Sequence, residues 1–245
     1  RAGVNLAICN FLEGNFAESK KHLLAAAKIQ EKTSLKFKNE KVYQLYLLDI
    51  LRWHEEKSDN SYNRKTDKTL YVIGESHSLV SHQLHVQSSG SDILCKAKLI
   101  KGCMQWHLGS SIRNQYKNQF ESLFCSIPKS SEVLLAIGEI DCRLDSGIIK
   151  HKNKFPAKEI EEIIVTTVEN YLTYIVKNNS SYQHNIIIQG VPCPNIDTGT
   201  GSEKEVIQLI EVIKKLNCEL KNKSKEKGFE FLDVRKLTDR GDGFS

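Results

Sequence analysis

The sequence predicts an α/β protein: a flavodoxin-like three-layer α/β/α arrangement with a five-stranded parallel sheet, preceded by a small all-α segment. Two observations carry this expectation. Short apolar runs rich in β-formers recur at 69–73, 94–101, 132–137, 185–190 and 229–234, the signature of strands buried on both faces. Between them lie stretches with apolar residues at helical spacing. Apolar strands joined by helical crossovers make a parallel sheet with helices on its faces, and the default order for five such strands is 2-1-3-4-5.

The elements follow in chain order. Residues 1–57 read as helices. Leu6, Phe11, Phe16 and Leu23 mark a first pair, Gly14-Asn15 the turn between them, and Ala25-Ala26-Ala27 a small-residue face for close contact. A third helix from about residue 40 has Val42, Leu45, Tyr46, Leu48, Leu51 and Trp53 as its apolar side. The polar, turn-rich stretch 58–68 is the linker, and 69–245 is the α/β domain. Leu108, Ile112, Tyr116, Phe120 and Leu123 give one helical crossover, Ile163, Ile164, Val168, Leu172 and Ile175 the next, and Leu209, Ile213 and Leu220 the last.

Bulk properties exclude several classes. With 245 residues, 40% hydrophobic and 27% charged, the chain can bury an ordinary core. The net charge of +5 is 35 basic against 30 acidic residues spread along the chain. No arginine-rich arm or basic block with interleaved aromatics occurs, so no nucleic-acid partner is expected. No apolar stretch reaches the ~20 residues of a membrane span. The seven cysteines form no C-x-x-C pair. They are expected to be buried free thiols in a cytoplasmic protein and to bind no zinc.

Chemistry is concentrated at two strand ends. The run Leu70–Ile73 stops at Gly74-Glu75-Ser76-His77-Ser78, and Val133–Ile137 stops at Gly138-Glu139-Ile140-Asp141-Cys142-Arg143. In the expected strand order these ends are neighbours, and α/β proteins place their chemistry at such carboxyl ends. Ser76 at a strand–glycine–serine turn can be a nucleophile or an N-cap, and Ser78 reads as a cap. Glu75, Glu139 and Asp141 could hold Mg²⁺ for phosphoryl chemistry, or accept loop N–H groups and shape the rim; the second reading is preferred. Arg143 is then a salt-bridge partner or a substrate clamp. His77 is set aside as a base because adjacent side chains diverge, and His82 and His85 read as surface residues. Val191–Asn195 reads as a pocket wall, Gly199–Ser202 as a loop ending in an N-cap, and the lysine-rich 214–227 as a solvated helix face.

These residues resemble the SGNH (GDSL-type) hydrolases over about 69–245. Gly74-Glu75-Ser76 resembles their first block, Gly-Asp-Ser, and Gly138-Glu139-Ile140-Asp141 their third, Gly-x-Asn-Asp. Gly102, or alternatively Gly109, falls where the second-block glycine would. The resemblance implies acyl-ester hydrolysis or transfer without a cofactor, on a small acyl ester or a carbohydrate. Ser76 is the implied nucleophile, and the backbone N–H groups of Ser76 and Gly102 form the oxyanion hole. Gly74, Glu75, Gly138, Glu139, Asp141 and Arg143 shape the site.

Two departures stand out. Ile140 replaces the oxyanion asparagine, and no Asp-x-x-His follows residue 234. The implied base would then lie past Ser245, and the chain as it stands would be inactive. Residues 2–35 resemble one tetratricopeptide repeat, which implies a protein partner on the helices and further repeats before Arg1. The rival functions are a non-catalytic ligand- and protein-binding module and the metal-dependent enzyme above.

Overall fold

A computed structural model describes residues 2–32, 38–57, 66, 68–88, 90–195 and 202–244. Most of the expected linker, and Gly199–Gly201, lie outside the described residues. The chain divides into two compact units, 1–69 with 80–97, and 70–79 with 98–245.

The first unit holds α1 (Ala2–Leu12), α2 (Phe16–Lys32), α3 (Lys38–Lys57), β2 (His85–Ser88) and most of β3 (Ser91–Leu99). Gly14, at φ 79°, turns α1 into α2, a backbone state that glycine adopts without a side-chain clash. Buried Ser19 donates to the Ala7 carbonyl at 2.8 Å. The buried side of α3 is Gln44, Leu47, Ile50, Leu51 and His54, while Val42, Leu45 and Trp53 are exposed. Apolar counting missed this face because two of its members are polar; Gln44 reaches the Leu23 carbonyl at 2.8 Å. Phe11 and Phe16 pack with the His54 and His82 rings. His82 is buried and accepts from the Ala97 N–H, and His85 opens β2, so neither belongs to a surface helix.

The second unit carries a parallel sheet in the order β1-β4-β5-β6, with β1 at Lys68–Gly74, β4 at Glu132–Ala136, β5 at Asn185–Gln189 and β6 at Glu230–Leu232. That order is the one expected of sequence strands 1, 3, 4 and 5. Among the described residues there are six strands where five are expected, because the stretch before the expected second strand supplies β2, paired antiparallel to β3. Its residues, His85-Val86-Gln87-Ser88, lack the apolar run that marks the others.

The crossover helices are α5 (Gln115–Cys125), α8 (Ile160–Asn179) and α9 (Glu203–Glu226). The expected second-crossover helix is two: α4 (Gln105–Gly109) ends early, Ile112 is 74% exposed, and Asn114 caps α5 through the Tyr116 and Lys117 N–H groups. By strand register, Ile73, Val133, Leu135, Ile186 and Ile188 share one side of the sheet, and α5, α8 and α9 all join the buried cluster there. Val72, Leu134 and Ala136 form a small cluster on the other side. α5, α8 and α9 therefore pack together on one side of this sheet, and among the described residues none of these three helices joins the cluster on the other side.

Candidate active site

β1 and β4 end side by side because Gly74 pairs in register with Ala136. A Cβ on Gly74 would lie 2.4 Å from the Ala136 carbonyl oxygen, so only glycine lets the two ends approach. The chain then enters a 3-10 turn, Ser76–Ser81. The helix that an N-cap reading of Ser76 requires is here one short 3-10 turn, which aligns few peptide units and so offers little dipole to a developing negative charge.

Glu75 organises this turn. Its side chain is 2% exposed. One carboxylate oxygen accepts from the Ser76 hydroxyl at 2.8 Å and the His77 N–H at 3.2 Å. The other lies 2.6 Å from His77 Nδ1, and the Glu75 carbonyl accepts from Ser78 Oγ at 2.7 Å. Side chains of adjacent residues do diverge, but Glu75 and His77 are two apart and converge across the turn.

The electrostatics are mutual. Burial pushes the Glu75 carboxyl up, but the hydrogen bond and charge of His77, with the Ser76 hydroxyl and the His77 N–H, outweigh it and hold the group below its ordinary value. Burial pushes His77 down, but Glu75, helped by the Glu139 charge, holds it above its ordinary 6.5.

The second strand end does different work. Gly138 has φ 150° and leads into the short helix α6 (Glu139–Cys142). The two oxygens of Asp141 accept from the Gln105 and Trp106 N–H groups at 2.8 and 3.1 Å, tying the start of α4 to this rim. Burial pushes its carboxyl up to about 7 despite those bonds. Buried Gln105 in turn donates to the Ile137 carbonyl at 2.8 Å. Arg143 grips both oxygens of Glu139 through Nε, at 3.0 and 2.9 Å.

A cleft of about 560 Å³ opens at this rim. His77, Glu139 and Arg143 give it polar lining; Val191, Leu209 and Ile213 give it an apolar wall. The 191–195 segment lines it, as its sequence position implied. Asn217 of α9 fixes that wall, accepting from the Val191 N–H at 2.7 Å and donating to the Val191 carbonyl at 2.8 Å. Ser76 and Gly102 are not among the lining residues, and Gly109 is spent where α4 meets α8.

No protein-family model matches the chain, and no curated protein matches it. Among the solved structures that resemble it in chain trace are two from Streptomyces. An extracellular lipase from Streptomyces rimosus is 12% identical over 69% of this chain and 81% of the lipase, with a TM-score of 0.43. Phospholipase A1 from Streptomyces albidoflavus is 13% identical over 69% and 80%, with a TM-score of 0.38. Neither transfers a residue's role.

The site's own groups define what it can do. Of the three carboxylates considered for a cation, Asp141 leaves the set. Among the described residues, Glu75, His77 and Glu139 bring ligand atoms within 4.8 Å of one another. Each of them is already engaged, Glu75 with His77 and Glu139 with Arg143, so an ion would have to displace two pairings. What remains is an imidazole held at Nδ1 by a buried carboxylate, at a cleft, next to a serine hydroxyl on the same carboxylate. His77 was the residue the sequence reading discarded. The signal that could have found it is the Glu-x-His spacing at a strand end, where a tight turn brings residues i and i+2 together.

Proposed function

We propose that this rim performs acyl-ester hydrolysis or acyl transfer, with Ser76 as nucleophile and His77, held by Glu75, as proton acceptor. The observation that carries the reading is the Glu75 carboxylate engaging the Ser76 hydroxyl and the His77 ring at once. A serine hydroxyl is a weak nucleophile until a base takes its proton. Glu75, held below the ordinary carboxylate range, is a poor base; His77, held above its ordinary value, is a better one. In this reading Ser76 leaves the carboxylate and turns to His77 Nε2, the ring nitrogen that does not face Glu75, which takes its proton as the hydroxyl oxygen attacks, and Glu75 then steadies the imidazolium at Nδ1. The base is thus supplied by the turn itself. The backbone N–H groups of Ser76 and Gly102 would receive the oxyanion. Ile140 adds no side-chain donor, so turnover is expected to be slow, by roughly 100- to 1,000-fold per missing donor. As drawn, the reaction needs no cofactor.

A second reading, ligand binding without turnover, draws support from Ile140 and from the hold of Glu75 on the Ser76 hydroxyl. A fluorophosphonate probe and p-nitrophenyl acetate separate the two. The enzyme reading expects labelling and hydrolysis by the native protein, loss of both in Ser76→Ala, and a fall of about 100-fold or more in His77→Gln. Hydrolysis by Ser76→Ala at the native rate ends the Ser76 assignment, and a folded native protein that neither labels nor turns over leaves the binding reading.

A further inference from the structure

A second cavity in the α/β unit, of about 400 Å³, lies between the end of α4 with its following loop and α8. We propose that it is a binding site for a neutral carbohydrate ring. No charged side chain lines it. Its walls combine one exposed aromatic ring with hydroxyl and amide groups, and each has a definable state. Trp106 is 47% exposed; its ring lies against His151 at 5.4 Å and its backbone N–H is held by Asp141, so the indole is supported and presents surface to the cavity. Gly109 lets α4 close on α8, since a Cβ there would meet Asn170 Cβ and the Tyr171 nitrogen at 3.0 Å.

Thr167 Oγ1 spends its hydrogen on the Ile163 carbonyl, and Ser110 Oγ accepts from the Ile112 N–H while keeping its own hydrogen to donate. Ser111, Thr166 and Asn170 make no side-chain hydrogen bond to the protein among the described residues. They offer neutral groups that both donate and accept. A flat ring presenting C–H bonds to an indole and hydroxyls around its edge matches this set, an amphipathic partner for an amphipathic wall. A phosphate finds no cation among the lining residues, Lys117 being bonded to the Ser110 carbonyl, and an acyl chain finds too many polar groups. The site is separate from the rim chemistry and does not depend on Ser76.

The test uses the whole chain carrying Trp53→Phe, so that Trp106 is the remaining tryptophan and reports its own surroundings. Methyl α-D-glucopyranoside, methyl α-D-galactopyranoside and N-acetylglucosamine are titrated by fluorescence and by saturation-transfer NMR. At least one sugar is expected to give a saturable change with Kd of order 1 mM. Thr166→Ala/Asn170→Ala, on the exposed side of α8, is expected to weaken it about tenfold. Absence of saturable binding by all three sugars overturns the proposal. So does unchanged affinity in the double variant, or tighter binding of glucose 6-phosphate or octanoate than of the sugars.

Discussion

At the scale of single residues, the chemistry depends on how a buried carboxylate sets the properties of two neighbours. Glu75 satisfies a hydroxyl, a backbone N–H and an imidazole at once, which is how a charge can remain in a site that is 2% exposed. The arrangement makes a pH prediction for ester hydrolysis. For the proposed hydrolysis the base must be unprotonated, so the rate is expected to rise with pH as His77 loses its proton. Glu75 holds that step above the ordinary 6.5, and the midpoint of the rising limb is expected there. Glu75→Gln keeps the acceptor for Ser76 and removes the charge that favours the imidazolium. The largest opposition to burial is then gone, with only the Glu139 charge still favouring the imidazolium, and the midpoint is expected to move down, with KM changing less than kcat. A limb that stays in place when Glu75 is neutralised would assign it to another group.

At the scale of elements, the wall of the cleft rests on one helix side chain. Asn217 pairs with both backbone groups of Val191 in a buried setting. Asn217→Ala would strand a donor and an acceptor together, and a loss of about 2–4 kcal/mol is expected in urea unfolding. Ligand affinity in the cleft should weaken with it, since the wall loses its anchor. This contact also marks where sequence reading stops. The runs at 69–73, 132–137 and 185–190 foretold β1, β4 and β5 within a residue or two, because parallel strands buried on both faces need unbroken apolar stretches. Asn217 has no such signature: it occupies the buried side of α9 as a polar residue whose partner is 26 residues away. The same blindness hid β2, in which Val86 is the one apolar residue, and misassigned the buried face of α3, where Gln44 and His54 fill core positions. At the rim, Gly74, Glu75 and Gly138 were legible as strand-end punctuation. The partition of labour between Glu75 and Asp141 was not, because it depends on which loop N–H groups each carboxylate meets after folding.

At the scale of the whole molecule, the thiols give a reading that spans both units. All seven cysteines are free; Cys95, Cys103, Cys142 and Cys193 are buried, while Cys9, Cys125 and Cys218 are exposed, so burial, expected for all, holds for four. Reactivity requires both access and thiolate. Burial pushes the Cys95 thiol up, and for Cys103 and Cys142 the nearby Asp141 charge adds to burial. Cys9, Cys125 and Cys218 are therefore expected to react quickly with a disulfide reagent under native conditions, and the remaining four only as fast as the chain opens. Mass mapping after a short pulse identifies which have reacted, and denaturant should release all seven. With no crosslink to reduce, dithiothreitol is expected to leave Tm unchanged. The informative exception is the cleft, which both Cys142 and Cys193 line. If those two labelled as fast as the surface thiols while Cys95 and Cys103 stayed protected, the 191–195 wall would be opening without global unfolding, and Asn217→Ala should accelerate that labelling selectively.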